Sequence, residues 1–492
     1  MGMVLNTNIG AIQAQRALNV SRQDMEKAME RLATGQRINS AADDAAGLAM
    51  VERMNTQIRG LTMATRNAND GIALIRTVEN ALVEVSGMLQ RMRELAVQAS
   101  SDTSAASQRA FANNEFNSLQ LEISRVSLNT RYNGAQVLNG SFSAKSLQVG
   151  TQSGETLEFS IGNVESTQLG AYVVAGKNTA AVAGNSGVDP TNAAAANHDI
   201  TIAAGTLTRI IDVEADDTAK AVSRKINSVA GSTQVVSEAR TFAWLYTSTA
   251  SPTVSGKLNI NGTETGAFTI TSNDVSDAVQ KINLISDTTG VQATSTGDYK
   301  ILLSDKDGDD LVVTNISDRA DLKMQSVAID SLTANATVLT MADGNPAASA
   351  DTVNIRGNLR LSATSDFTVT QATADSYFAN GVTASPLVNI SSADVLTRIT
   401  ASNSLAVLDG AIARASSMRG SLGTLQNRLD YTVSNLMKVT EFTTGARSRI
   451  ADADFAAETS RLAKAQVLQQ AGAAMLAQAN GSTDIIIQLL RN

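Results

Sequence analysis

The chain has 492 residues, a prior for roughly three domains of about 150 residues each. It has no cysteine and one histidine, His198, which excludes disulfides, thiolate metal sites and zincin-type pairs and leaves a histidine triad poorly supported. A net charge of -8 argues against a general nucleic-acid binder. No run approaches the ~18 apolar residues of a membrane helix. Met1 to Gln15 lacks the basic residue and apolar block of a cleaved leader, so export by an uncleaved route stays open.

Proline and charge divide the chain before any element is assigned. All four prolines (Pro190, Pro252, Pro346, Pro386) lie in the middle, and so does the single tryptophan, Trp244. Proline costs a helix interior ~3 kcal/mol, so the proline-free ends permit long helices. Residues 172–400 hold 15 basic and 24 acidic side chains, a balance of -9; the rest holds 24 and 23. Near-neutral ends can pack against copies of themselves, whereas an acidic middle favours water.

Residues 7–34 read as a helix with Ala11, Ala14, Leu18, Met25, Ala28, Met29 and Leu32 on one face. Ile75, Val78, Leu82, Val85, Leu89, Met92 and Ala96 form a heptad seam. After a polar linker, Ser100 to Ser107, the pattern resumes at Ala112, Phe116, Leu119, Ile123 and Val126. Asn133-Gly134 and Asn139-Gly140 signal turns, and Leu157, Phe159 and Ile161 alternate as in a strand. Residues 174–197 are small and read as a linker or long loop.

The middle carries a weak repeat. Ala221 to Asn227 recurs as Ala278 to Asn283, 57 residues on by its Ala-Val start, with strand-like residues on either side. Two similar α+β modules are expected. Strands resume at 353–361 and 367–370. Toward the C-terminus, Ala411, Ala415, Met418, Leu422, Leu425, Leu429, Thr432 and Leu436 form a third seam about 38 Å long. Residues 455–479 carry a thin stripe of Phe455, Leu462, Ala465, Leu468, Ala471 and Met475. One seam cannot bury itself, so the three should pack as a bundle that brings the chain ends together. The alanine-rich outermost helices are marginal alone, since ordering costs ~1–2 kcal/mol per residue. They are expected to order only against other subunits.

No catalytic constellation appears. His198 sits beside Asp199 with no nucleophile or oriented base, and reads as a loop residue. Asp305 to Asp310 has the charge of a calcium loop, but Ile316 stands where an EF-hand requires an acid. Its flanks read as a hairpin and the loop as an acidic turn, with calcium the lesser reading. Gly256-Lys257 lacks the spacing of a phosphate loop. The sequon Asn261-Gly262-Thr263 follows from composition. No cofactor or metal is expected.

The ends spell longer motifs. Leu5-Asn6-Thr7-Asn8 precedes Leu32-Ala33-Thr34-Gly35-Gln36-Arg37-Ile38-Asn39-Ser40-Ala41-Ala42-Asp43-Asp44. Then come Arg66-Asn67-Ala68-Asn69-Asp70-Gly71 and Gln90-Arg91-Met92-Arg93-Glu94-Leu95. Near the C-terminus stand Leu422-Gly423-Thr424-Leu425-Gln426-Asn427-Arg428-Leu429, Ala446-Arg447-Ser448-Arg449-Ile450 and Leu468-Gln469-Gln470-Ala471-Gly472. Over about residues 1–165 and 400–492 this closely resembles bacterial flagellin. The repeats of the middle resemble the flagellin IN motif, near 200–240 and 257–315.

The resemblance implies an α + β multidomain fold: a long coiled-coil bundle built from both ends, with inserted β-rich outer domains. Residues 1–44 and 455–492 would form the inner core, 45–172 and 400–454 the bundle with a β-hairpin region, and 173–399 the variable outer part. It implies a subunit of the extracellular flagellar filament, exported unfolded and uncleaved, with an export chaperone and hook-associated junction and cap proteins as partners. Polymerisation would fall to Leu18, Met25, Leu32, Phe455, Leu462, Leu468, Met475, Leu489 and Leu490. Leu18→Asp or Leu468→Asp should then leave the bundle folded and block polymerisation. Gln90, Arg91, Leu95 and Glu115 resemble the patch bound by the host Toll-like receptor for flagellin. The C-terminal helix resembles the segment held by the chaperone and sensed by cytosolic immune receptors, although Gly481-Ser482 could interrupt it. The alternatives are the hook–filament junction protein of the same superfamily and a surface adhesin whose middle binds glycan.

Overall fold

The computed structural model describes all residues except 1–6, 102, 185–189, 193, 195–197, 248–252, 272, 297–298, 318–321, 342–350, 372–376 and 491–492; for 482–490 it describes the backbone alone. The motif residues Leu5 and Asn6 and the side chains of Leu489 and Leu490 therefore lie outside the described residues. Nine α-helices are described: α1 (Ile9–Thr34), α2 (Ala45–Ala99), α3 (Ala106–Asn129), α4 (Ala219–Ser228), the one-turn α5 (Ala230–Thr233), α6 (Ser276–Asn283), the one-turn α7 (Ser286–Thr289), α8 (Arg398–Ala451) and α9 (Phe455–Leu490). The proline-free ends form the four longest helices and α3. The α9 backbone runs through Gly481 without a break, because one glycine costs a long helix only ~1 kcal/mol.

The chain forms two compact units. One comprises 1–75, 144–159 and 424–492; the other comprises 76–143 and 160–423. In the first, α1 pairs with α9, and α2 runs antiparallel to α8: Arg447 donates to Asn55 at 3.0 Å, and Leu61, Ala64 and Leu436 share a small core. The hairpin Lys145–Gln148 with Thr156–Phe159 lies on α2. Asn67 Nδ2 donates to the carbonyl of Gln148, and a Cβ on Gly71 would meet Leu147 at 2.6 Å. Gly71 is thus a point of close approach, which only glycine allows.

In the second unit α2, α3 and α8 pack together, and Glu79 pairs with Arg419 and Arg93 with Asp409, again antiparallel. Asn133-Gly134 turns the hairpin Arg131–Tyr132 with Ala135–Gln136, both turn residues having positive φ as a two-residue turn requires. Beyond it the middle builds two cores. One surrounds α4 with strands Ile200–Ala204 and Phe367–Gln371; the other surrounds α6 with strands Leu258–Ile260, Ile301–Asp305 and Leu311–Asn315. The 13-residue strand Val235–Thr247 links them. It pairs with Asn358–Ala363 over its first half and with Ile301–Asp305 and Leu322–Val327 over its second.

The repeat has a structural meaning. Asn227 brackets the backbone of Ser237, donating to its carbonyl and accepting from its N–H. Asn283 does the same to Ala293. Each asparagine locks its helix to the strand ten residues on. Buried Val222 and Ile226 match buried Ala278 and Ile282, so the equivalence is 56 residues rather than the 57 read from the Ala-Val start. The packing face and the bracketing asparagine set the register, and the exposed positions between them do not.

Two expectations for the middle change. The small-residue tract is not all linker: strand Gly170–Ala175 enters it, and Val182–Gly184 forms the edge of a five-stranded sheet against Thr352–Asn354. A Cβ on Gly184 would lie 2.8 Å from Pro190, so small residues here permit close packing. Nor do Ile301–Asp305 and Leu311–Asn315 form a hairpin. They belong to different sheets, and Lys306–Asp310 crosses between them. Asp305 accepts the N–H groups of Asp307 and Gly308, and Lys220 binds Asp307 and Asp309 at 3.1 and 2.6 Å. Backbone thus engages Asp305, a lysine engages Asp307 and Asp309, and the Asn192 side chain donates to Asp310 at 2.7 Å. Among the described residues no cluster of three or more acidic or histidine side chains is placed to hold a metal ion. His198 lies in a loop, where its carbonyl accepts from Gln371.

Candidate assembly surface

The α1–α9 pair is built from two interlocking heptads. Asn8 caps α1 by accepting from the Ala11 N–H, and Gly35 ends it in a left-handed conformation, donating to the carbonyl of Arg31. Ala11, Ala14, Leu18, Ser21, Met25, Ala28 and Leu32 form its buried and half-buried seam. On α9 the seam is Glu458, Leu462, Ala465, Gln469, Gly472, Leu476 and Ala479. The register is antiparallel: Asn8 donates to the Ala479 carbonyl, Leu18 lies where a Gly472 Cβ would be only 3.1 Å away, and Arg31 reaches Glu458 at 3.4 Å. Beyond Gly35 the chain is pinned to the α8–α9 junction. Arg37 N–H donates to Ala451, and Ala453 N–H donates to Gly35.

A charged layer closes this end of the seam. Glu458 is almost fully buried and takes both Arg31 and Arg461. Arg31 also lies 3.7 Å from Asp43. The Ser40 N–H and hydroxyl, both donating to Asp43, hold that carboxyl below the usual range.

Apolar residues also lie outside the seam, on several sides of the two helices. Ile9, Ile12, Val20 and Met29 on α1 are exposed, as are Phe455, Val467, Leu468 and Met475 on α9. Leu468, Ala471 and Met475 line a shallow groove with Gly10, Ala14 and Ala17. The nine residues read from sequence as one polymerisation set therefore separate. Leu18, Met25, Leu32 and Leu462 belong to the seam within the chain, whereas Phe455, Leu468 and Met475 face outward. Ser21, Glu458 and Gln469 were missed as seam residues because they are polar. Their three–four spacing was the signal available.

The bundle seams sit where their spacing puts them. Ile75, Val78, Leu82, Val85, Leu89 and Met92 on α2 are buried, and so are Leu422, Leu425, Leu429 and Leu436 on α8. Outside the seam, Gln90 is exposed and Arg91 donates to Glu115 at 2.8 Å and to Glu94 at 2.9 Å. The bond to Glu115, then that to Glu94, raises the Arg91 guanidinium above its ordinary value. Leu95 departs from the sequence reading. It is buried beside the seam, so the exposed patch of the single chain is Gln90, Arg91, Glu94 and Glu115.

Helical ends that pair with each other, a helical bundle and an inserted β-rich middle define a helical-ended structural subunit. Residues 5–143 match the model for the bacterial flagellin N-terminal helical region, and residues 405–490 that for the C-terminal helical region. The B-type flagellin of Pseudomonas aeruginosa is 35% identical over the whole of both chains, and a flagellin of Salmonella rubislaw is 32% identical, also end to end. Among solved structures, FliC from Burkholderia pseudomallei is 17% identical, with 73% of this chain and 99% of that one covered and a TM-score of 0.30. The flagellar junction protein FlgL from Legionella pneumophila is 11% identical, with 82% and 99% covered and a TM-score of 0.34. The chain belongs to the bacterial flagellin family, and it is a structural subunit of the flagellar filament. The junction-protein alternative is less supported, since full-length identity above 30% is to flagellins.

Proposed function

We propose that the exposed apolar side chains of the α1–α9 pair are the surface through which subunits polymerise. The observation that carries this reading is the set of exposed apolar side chains, Ile12, Val20, Phe455, Val467, Leu468 and Met475, on a helix pair whose seam is already closed. Water disfavours such exposure, and neighbouring copies would cover these side chains. The seam within the chain is thin and rich in alanine, so the pair is marginal in the free subunit and gains order on addition to the filament tip. Residues 1–44 with 455–492 serve as the inner core, 45–172 with 400–454 as the bundle, and 173–399 as the outer part.

On this reading the subunit leaves the cell unfolded, escorted by an export chaperone that holds α9. Junction and cap proteins bound the filament at its two ends. Gln90, Arg91 and Glu115, with Leu95 supporting them from inside, form the face offered to the Toll-like receptor. The absence of cysteine suits passage through a narrow channel, because no disulfide can lock the chain. The chain acts by packing and not by catalysis.

Seeded growth tests the proposal. Purified subunit is mixed with short filament fragments and followed by electron microscopy. One-ended lengthening is the expected result. Subunits that remain single, or cap the fragments without extending them, would overturn it in favour of a junction role.

A further inference from the structure

The chain has 14 methionines and no cysteine, so thioethers are its readily oxidised sulfurs. Their exposure is unevenly divided. Met92, Met324 and Met341 are fully buried. Met29, Met50, Met63, Met437 and Met475 are exposed by 43, 42, 49, 60 and 64%. All five lie on α1, α2, α8 or α9, within the unit formed by 1–75, 144–159 and 424–492. Met475, the most exposed, borders the groove shared with Ala14, Ala17 and Leu468.

We infer that these five methionines are modification sites for a small two-electron oxidant, hydrogen peroxide, and that their oxidation stops the free subunit from joining a filament. The thioether sulfur attacks one peroxide oxygen. The O–O bond breaks as the S–O bond forms. The sulfur loses two electrons, and the peroxide is reduced to water. The sulfoxide is polar where the thioether was apolar and adaptable. At Met29 and Met475, on the pair that neighbouring copies must cover, it would have to lose its water without a partner placed to replace it. The inference rests on the assembly reading and extends it. Accessibility of Met29 and Met475 should fall on polymerisation, so at these two sites the free subunit is the vulnerable state and the filament the protected one.

The test exposes free subunit and preformed filaments to the same dose of hydrogen peroxide and maps added oxygen by peptide mass spectrometry. In the free subunit the five sites should gain oxygen, while Met324 and Met341 stay unmodified as internal controls. In filaments Met29 and Met475, on the α1–α9 pair, should be protected. Oxidised subunit should extend seeds about tenfold more slowly, or worse, as expected for burying an unpaired polar group. Methionine sulfoxide reductase should restore growth. A variant with all five replaced (Met29→Leu, Met50→Leu, Met63→Leu, Met437→Leu, Met475→Leu) should extend seeds equally well before and after peroxide. Oxidised wild-type subunit that extends seeds at the untreated rate would overturn the inference and leave the assembly reading standing. Untreated subunit that fails to extend seeds would sink the assembly reading, and this inference with it.

Discussion

Leu468→Asp separates the two faces of the terminal pair. Leu468 is 48% exposed, so about half its side chain remains for a neighbouring subunit to cover. Full burial of a leucine contributes roughly 1.5–3 kcal/mol, which leaves about 1 kcal/mol for the contact between subunits. Leu468→Ala should therefore raise the critical concentration for polymerisation about fivefold. An aspartate adds the cost of removing a carboxylate from water, several kcal/mol, so Leu468→Asp should raise it more than about a hundredfold. Helix content should barely change, because the residue lies outside the seam. Leu18→Asp should behave differently. Leu18 packs at Gly472 inside the pair, so its loss should lower far-ultraviolet helicity as well as polymerisation. Circular dichroism and sedimentation of seeded mixtures read the two effects separately. Leu468→Asp filaments with the wild-type critical concentration would refute the reasoning. So would equal loss of helicity in the two variants.

Three further outcomes are expected. Leu82 is fully buried in the bundle seam, so Leu82→Ala should cost about 2–5 kcal/mol, measured by guanidinium unfolding of the subunit. Asn283→Ala leaves the N–H and carbonyl of Ala293 without their side-chain partner and should cost about 1–3 kcal/mol, with faster amide exchange at Ala293 and not at Ser237; Asn227→Ala should show the converse. Burial pushes the Asp310 carboxyl up to about 6, although Asn192 and Arg356 draw it down. The folded state then binds this proton more tightly than the unfolded chain. Its contribution is present below about pH 4 and is lost as pH rises through about 6, a change of at most about 3 kcal/mol. Unfolding of the middle followed by fluorescence of the single tryptophan, Trp244, should show this loss, and Asp310→Asn should flatten it.

Much of the helical architecture was legible because heptad spacing and the absence of proline act locally. Val78, Leu82, Val85 and Leu89 are three and four apart, and no fold with long helices could leave so regular an apolar row in water. The repeat in the middle was legible for a similar reason, since a short helix with a buried face and a closing asparagine is a local device. The end motifs carried the family likeness, because they are long and in order.

Pairing was not legible, because it is a choice among partners that spacing leaves open. Leu18 and Leu468 both sit on thin alanine-rich helices, and nothing local says which faces the chain's own second helix. Glu458 and Gln469 hold seam positions because Arg31 and the pairing geometry make polar residues acceptable there. Leu95 is buried although its chain neighbour Glu94 is exposed, a difference that the motif by itself does not reveal. Ile301–Asp305 and Leu311–Asn315 look like one hairpin until each finds its partners in a separate sheet. Val182–Gly184 looks like linker until Thr352–Asn354 pairs with it. The sequence by itself determined where helices could run and which rows must be buried. Only the tertiary structure decided against what, because a residue's burial free energy depends on area removed from water and is indifferent to which neighbour removes it.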